Sequence, residues 1–174
     1  SPWTMHVLLV RHGQSKNNII EQAHGDGEEF IKQRSPNPSL SPLGFQQAEL
    51  LGAHLGAQLK SEKPRVRLWC SSMLRAMQTI QPLSRALGLS PRIHPTVYEN
   101  GGFHRTSADG RKEGVYGLTH AEIASQFSGY DASGIPVEGQ FGSETEAQSV
   151  ERAKTVAREL TVMSAAKENE NLVI

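Results

Sequence analysis

Short apolar runs alternate along the chain with segments of helical period. Residues 7–10, 66–70 and 92–97 are predicted to form three strands, the third irregular or at a sheet edge because of Pro95, and a fourth strand begins at Leu172. The first run is unbroken, which predicts a central strand buried on both faces. Because helical segments separate the strands, the pattern predicts an α/β fold with a largely parallel sheet.

Start signals predict two helices in the first half of the chain. Ser41 is a suitable N-cap and Pro42 a suitable first residue of the first one. Its apolar face consists of Leu43, Leu51, Leu55 and Leu59, with Ala48 beside them. Gly52 and Gly56 lie one turn apart and predict close packing on a neighbour. The second helix is predicted over residues 73–88.

Capping boxes predict two further helices near the end of the chain. Thr119-x-x-Glu122 opens a short helix, and Ser143-x-x-Glu146 opens a longer one. The longer helix is predicted to bury a face that consists of Ala147, Val150, Ala153, Ala157 and Leu160. Residues 19–39 lack a strong period and are predicted to form a long loop, either a functional rim or a mobile segment, in which Phe30 and Ile31 could anchor a short helical turn.

Composition and charge narrow the classes of function. The 174 residues, 37% of them hydrophobic, predict a single globular domain over residues 1–174. The formal net charge of zero argues against a nucleic-acid or anionic-membrane partner, and no apolar run could span a bilayer. Cys70 is the only cysteine, so no disulfide forms within the chain, which favours a cytoplasmic location. The histidine spacings predict no metal site.

The polar residues after the first strand are the strongest candidates for chemistry. Arg11 and His12 follow residues 7–10 directly, and Gly13 lets backbone come close to a bound group. Ligands bind at the carboxyl ends of strands in open α/β sheets. Arg75 lies in the first turn of the predicted second helix, where the macrodipole disfavours a cation unless an anion binds there. The pattern therefore predicts an anion site.

Four ordered motifs resemble those of the histidine phosphatase superfamily, the phosphoglycerate mutase-like family, in its branch 1. They are Arg11-His12-Gly13-Gln14-Ser15-x-x-Asn18, Leu40-Ser41-x-x-Gly44-x-x-Gln47-Ala48, Ser71-Ser72-x-x-Arg75-Ala76-x-Gln78-Thr79 and Tyr98-Glu99. The resemblance implies a three-layer α/β/α fold with a mixed, mostly parallel sheet. It also implies a phosphatase without a cofactor, acting on a phosphorylated small molecule or a phosphoprotein.

The resemblance implies a role for each of five site residues. His12 would attack the phosphoryl group and become phosphohistidine, and Glu99 would protonate the leaving oxygen. Arg11, Arg75 and Asn18 would bind the phosphate. An attacking imidazole must be neutral, and two arginines nearby should lower the pKa of His12 below its usual value of about 6.5.

The sequence departs from the family pattern at two places. The family's second active-site histidine normally follows the last core strand in a His-Gly pair, and no histidine here matches it, so we expect the domain to continue past Ile174. The residues after Glu99 do not resemble the Glu-Arg-His-Tyr-Gly pattern of the glycolytic mutases. This second departure favours a phosphatase, with substrate choice in residues 102–118 and in the loop after Asn18.

Two alternatives to a phosphatase stay open. One is a phosphoglycerate mutase or a sugar-bisphosphatase, and the other is a non-catalytic member that binds a phosphorylated ligand or a protein. Arg105, Arg111 and Lys112 hint at a second acidic group on the substrate, although a solvated lid is the favoured explanation. The sequence does not predict the oligomeric state.

Overall fold

A computed structural model describes residues 5–107, 109–166 and 171–174 of the protein. The strands are β1 (His6–Leu8), β2 (Val66–Cys70), β3 (Arg92–Ile93), β4 (His104–Thr106), β5 (Lys112–Gly114) and β6 (Asn171–Val173). The helices are α1 (Lys16–His24), α2 (Glu28–Gln33), α3 (Pro42–Leu59), α4 (Leu74–Leu87), α5 (His120–Gln126) and α6 (Glu146–Ala165), and a 3₁₀ helix spans Lys60–Arg65. Residues 1–4 and 167–170 of the predicted domain, and residue 108 of the segment 102–118, lie outside the described residues.

A parallel sheet in the order β1-β6-β2-β3 forms the centre of the fold, and β4 and β5 form a separate antiparallel pair. Leu172 of β6 lies between Val7 of β1 and Arg67 of β2. The predicted α/β class with a mostly parallel sheet is therefore confirmed. The third strand is shorter than predicted because Pro95 lacks the N–H that a continuing ladder needs.

Helices cover both faces of this sheet. Leu68 and Cys70 of β2 belong to the apolar core that α3 and α4 complete. Trp69 points to the opposite face, as the period of two in a strand requires. There Trp69 stacks on His94, and His94 is paired with Glu159 of α6. The layers are thus α3 and α4, the sheet, and α6.

The packing of α3 on α4 follows from two glycines, as predicted. A Cβ on Gly52 would lie 2.5 Å from Cβ of Pro82, and one on Gly56 would lie 2.8 Å from Cβ of Ala86. The close approach of the two helices therefore needs glycine at both positions. Ser41 caps α3 by accepting a hydrogen bond from the Gly44 amide, also as predicted.

The strand β1 lies at the edge of the described sheet, so the prediction of a central strand buried on both faces is wrong. Its one partner among the described strands is β6, and Leu9, just beyond its end, is 77% exposed. An unbroken apolar run shows that a segment suits a sheet, but it does not show how many strands flank it. The interior positions belong instead to β6 and β2.

Most of the predicted loop at residues 19–39 is helical, because it contains the end of α1 and all of α2. The cap of α1 is reciprocal: Ser15 and Asn18 each bond the other's backbone N–H. A cap with asparagine in place of glutamate departs from the usual capping box. Neither helix has a buried residue, so no apolar stripe marked them in the sequence.

The predicted cap of α6 is also wrong, and its apolar face is mostly exposed. Its capping box is Thr145 with Gln148, not Ser143 with Glu146. The predicted apolar face is exposed at Ala147, Val150, Ala153 and Ala157, and Leu160 alone of that set is half-buried. The half-buried face of the helix contains Val156 and Met163 together with the polar Arg152 and Glu159. The packed face therefore differs from the one that the apolar pattern indicated.

Candidate active site

The imidazole of His12 follows β1 and is fixed by the backbone beside it. Its Nδ1 lies 2.7 Å from the Gly13 carbonyl oxygen. A carbonyl can only accept, so Nδ1 carries the proton and donates it. The lone pair of the neutral ring is therefore on Nε2, which is the atom available to attack a substrate.

The environment keeps this imidazole neutral. Burial lowers the pKa of His12 below its ordinary value, and the positive charges of Arg75 and Arg11 lower it further. The hydrogen bond to Gly13 and the charge of Glu99 act in the opposite direction, but the net change is downward. The direction agrees with what a nucleophilic imidazole needs at neutral pH.

The guanidinium of Arg75 is buried in the first turn of α4, where it forms an ion pair with Glu99. Arg75 is 6% exposed, whereas the side chain of Glu99 is 58% exposed. Nη2 of Arg75 donates a hydrogen bond to Oε2 of Glu99. The carboxylate thus occupies the position at which an anionic ligand would meet the guanidinium.

One cavity brings four of the five predicted site residues together. Arg11, His12, Arg75 and Glu99 line a cavity of about 500 Å³ at the carboxyl ends of β1 and β2, and most of its remaining wall is apolar. They come from three separate stretches of the chain. The structure therefore forms one site from the three motifs that supply these residues, at the sheet edge that the fold class predicts.

A second cavity of about 230 Å³ adjoins the first, and its wall is mostly polar. His12, Arg75 and Glu99 line both cavities, so the two meet at these residues. Asn18, the fifth predicted residue, lines the second cavity. Its Oδ1 already accepts bonds from the Ser15 amide and hydroxyl, so Asn18 can offer its Nδ2 amide to an anion.

Motif positions without a predicted role hold the His12 segment in place. The Gly13 amide donates to Thr79 Oγ1 at 3.1 Å, and Thr79 Oγ1 donates to the Arg75 carbonyl at 2.7 Å. Gln47 Oε1 accepts from the Gln14 amide at 2.8 Å. These bonds connect the segment after β1 to α3 and α4.

Sequence reasoning missed Arg152 of α6, which holds the strand-end segment before Glu99. Its Nη1 donates to the carbonyls of Thr96 and Tyr98 at 2.8 and 2.9 Å, and its guanidinium lies 3.6 Å from the centroid of the Tyr98 ring. A buried ion pair with Glu144 fixes the other side. An arginine on the face opposite an apolar stripe gave no signal in the sequence.

Sequence reasoning also missed Arg34, which lines the second cavity. The residues proposed for a second acidic group lie elsewhere: Arg105 and Arg111 line neither cavity, and Arg111 is paired with Asp109. Lys112 lies near Gly101, at the rim of the β4–β5 pair. Arg34 lay within the predicted loop, where no pattern set it apart.

Two further features bear on the class of site. Among the described residues, no three histidine, cysteine, aspartate or glutamate side chains are grouped so that they could hold a metal ion. Within the same residues, no helix combines the length and the apolarity needed to cross a bilayer.

Solved structures of similar fold include two phosphatases. The ecdysone phosphate phosphatase of Bombix mori, in complex with tungstate, has a TM-score of 0.62 and 19% identity, covering 96% of this chain and 70% of that one. A mycobacterial glucosyl-3-phosphoglycerate phosphatase, in complex with VO3, has a TM-score of 0.51 and 20% identity, covering 96% and 73%. At these identities the similarity establishes the fold.

Sequence comparison gives a family and one curated relative. PE-PGRS family protein PE_PGRS11 of Mycobacterium tuberculosis is 32% identical over 93 residues, which is 53% of this chain and 14% of that protein. The chain thus spans a small part of that relative. The sequence model of the histidine phosphatase superfamily (branch 1) matches residues 7–174. With the fold and four ordered motifs in agreement, the chain belongs to branch 1 of the histidine phosphatase superfamily.

Proposed function

We propose that the protein hydrolyses phosphomonoesters through a phosphohistidine intermediate on His12. The observation that carries this proposal is the single cavity that Arg11, His12, Arg75 and Glu99 share. The cavity volumes, about 500 and 230 Å³, suit a phosphorylated small molecule. Membership of the superfamily supports the same class of reaction.

Binding of the phosphoryl group would replace one anion by another at Arg75. A phosphomonoester carries about two negative charges, and an arginine at about 4 Å contributes roughly 4 kcal/mol of attraction at an effective dielectric of about 20. Arg75 would exchange Glu99 for phosphoryl oxygens, and Arg11 and the Nδ2 amide of Asn18 would bind the others. Bidentate guanidinium contacts would then fix the phosphorus beside Nε2 of His12.

In the first step, Nε2 of His12 attacks phosphorus and the bond to the ester oxygen breaks. Glu99, released from Arg75, takes up a proton from solvent when the substrate binds and gives that proton to the leaving oxygen. The product alcohol departs and the phosphoryl group stays on His12. The Nδ1 hydrogen bond to Gly13 stabilises the positive charge that the ring develops.

In the second step, water attacks the phosphohistidine. The Glu99 carboxylate takes one proton from the water as the oxygen bonds to phosphorus, and the P–N bond breaks. Inorganic phosphate leaves, the neutral ring is restored, and Glu99 returns its proton to solvent as it pairs with Arg75 again. Each step therefore uses the same two side chains in opposite roles.

The proposal is tested by phosphate release from phenyl phosphate. The wild-type protein should release phosphate, His12→Ala should lose at least about 10³-fold in kcat/KM, and His54→Ala should resemble wild type. His54 is an exposed histidine on α3 that lines neither cavity. Equal rates for wild type and His12→Ala would contradict the proposal, and transfer to an added alcohol without phosphate release would indicate a mutase instead.

A further inference from the structure

The side chain of Arg34, at the end of α2, is incompletely bonded within the protein. Among the described residues, its Nε is the one buried side-chain nitrogen or oxygen without a hydrogen-bond partner. Its Nη1 reaches the His104 carbonyl and the Thr106 hydroxyl at 3.4 Å each, which are long contacts. Buried polar groups nearly always have a hydrogen-bond partner. A ligand could supply the missing partner if the guanidinium group of Arg34 rotates toward it.

The charge of Arg34 is also unbalanced. No ion pair of Arg34 is found within the described part of the chain, and the carboxylates on the same cavity wall are Glu21 and Glu99. Burial lowers the pKa of Arg34 from its ordinary value, the charge of Arg75 lowers it further, and Glu99 opposes both. Arg34 and Arg75 therefore act on each other across the second cavity, and Glu99 is the group that partly offsets them.

The second cavity connects Arg34 with the reaction centre. It is lined by Arg34 and Asn18 as well as by His12, Arg75 and Glu99, whereas Arg34 does not line the apolar first cavity. A substrate whose phosphoryl group meets His12 can thus extend toward Arg34. When that group takes Arg75 away from Glu99, a further anion would find Arg34 already partly desolvated.

We propose that Arg34 binds a second anionic group, a carboxylate or a second phosphate, on the alcohol part of the phosphomonoester substrate. The inference rests on the proposed function and adds the substrate class to it. A planar guanidinium suits both anions because it presents paired N–H donors. Arg34 is then a specificity-determining residue, and the polar cavity rather than the apolar one receives the alcohol part of the substrate.

The experiment compares substrates of one shape that differ in charge. The matched pair is 4-carboxyphenyl phosphate and 4-carbamoylphenyl phosphate, whose carbamoyl group is neutral. 3-Carboxyphenyl phosphate changes the distance between the phosphate and the carboxylate, and hydroquinone bisphosphate tests a second phosphate in place of the carboxylate. The measured quantity is the ratio of kcat/KM for each charged substrate to that for the carbamoyl ester. Arg34→Gln should lower this ratio by roughly 10–100-fold, as expected for a hydrogen bond between charged groups.

Two variants control for charge and folding. Lys32→Gln removes an exposed cation of the same helix, which is paired with Glu28 and lines neither cavity, and it should leave the ratio unchanged. Arg34→Lys should restore part of the ratio. A loss in Arg34→Gln confined to the carboxylates, or to the bisphosphate, identifies the anion and supports the inference.

Other outcomes would overturn the inference. They are an Arg34→Gln ratio equal to that of wild type, an equal loss on neutral and charged esters, or a wild-type preference for the carbamoyl ester. Suppose that hydrolysis depends on His12 but that wild type does not favour charged esters over the neutral ester. That result would contradict this inference and leave the proposed function intact.

A binding measurement covers the case in which no ester is hydrolysed, which would reject the proposed function itself. Calorimetry compares wild type with Arg34→Gln for benzylphosphonate and 4-carboxybenzylphosphonate, which cannot be hydrolysed. Tighter binding of the carboxylated compound by wild type, lost in Arg34→Gln, supports the subsite without catalysis. Equal affinities for the two compounds reject it.

Discussion

The backbone of Gly13 lies against the backbone of Gly44 so closely that neither position can hold a side chain. A Cβ on Gly44 would lie 2.0 Å from the Gln14 carbonyl oxygen, and one on Gly13 would lie 2.6 Å from the Gly44 carbonyl oxygen. Through this contact, the segment that carries His12 packs on the first turn of α3. The position of the nucleophile is therefore set by a helix that contributes no group to the chemistry.

Substitution of Gly44 by alanine should disturb the packing of the His12 segment on α3. The added methyl group meets backbone, which cannot move aside easily, so Gly44→Ala should lose about 1–3 kcal/mol of free energy of unfolding and at least about tenfold in kcat/KM. Gly27→Ala is the control, because a Cβ there meets no atom within 4 Å and its φ is negative. Urea denaturation and phosphate release measure the two effects. An active, fully stable Gly44→Ala protein would disprove the role of the contact.

The hydroxyl of Thr79 should be needed to hold the Gly13 amide. Thr79→Val keeps the shape but leaves the buried Gly13 N–H without an acceptor, which should cost about 1–3 kcal/mol of stability. Thr79→Ser, which keeps the hydroxyl, should recover most of the loss. Chemical denaturation of the three proteins measures this, and a Thr79→Val protein as stable as wild type would contradict the role of the hydroxyl.

The pKa of His12 should respond in opposite directions to its two charged neighbours. Arg75 lowers this pKa and Glu99 raises it, so Arg75→Gln should shift the midpoint of His12 upward and Glu99→Gln should shift it downward. In wild type, burial keeps the pKa of His12 below about 6.5. The loss of kcat/KM at acid pH that follows protonation of His12 should therefore also occur below that pH. NMR titration of the ring, assigned with His12→Ala, measures the midpoint. Shifts of the same sign in both variants would contradict the charge assignment.

Loss of Arg152 should affect catalysis through the position of Glu99. Arg152→Met removes the donors to Thr96 and Tyr98 and leaves Glu144 without its partner, so about 3–5 kcal/mol of stability should be lost. If Glu99 is displaced, phenyl phosphate, whose leaving oxygen needs a proton, should slow more than 4-nitrophenyl phosphate. Lys154→Met removes an exposed cation of the same helix as a control. Equal slowing of both esters would indicate a purely structural role.

Local patterns in the sequence predicted the parts of the fold that depend on neighbouring residues. The cap at Ser41, the glycine pair of α3 and the bounds of β2 depend on nearby side chains or on a single helix contact. The layout of Arg11, His12, Arg75 and Glu99 could be predicted because parallel strands place their carboxyl ends at one edge. That these residues share a cavity agrees with the prediction; their catalytic roles stay a prediction.

The features that were missed depend on contacts between distant residues. The edge position of β1 depends on where residue 172 pairs, and the packed face of α6 depends on an arginine that bonds carbonyls more than 50 residues away. Arg34 reaches the cavity through contacts with His104 and Thr106, about 70 residues later. No period or motif in a single sequence records such pairings.

The central claim, covalent catalysis by His12, is tested most directly by trapping the phosphoenzyme. Protein mixed with 4-nitrophenyl phosphate is quenched in alkali, where phosphohistidine survives, and then analysed by peptide mass spectrometry. The account predicts one added phosphoryl group, located on His12, present in Glu99→Gln and absent in His12→Ala. Turnover with no label on wild type or on Glu99→Gln, or a label on another residue, would contradict it.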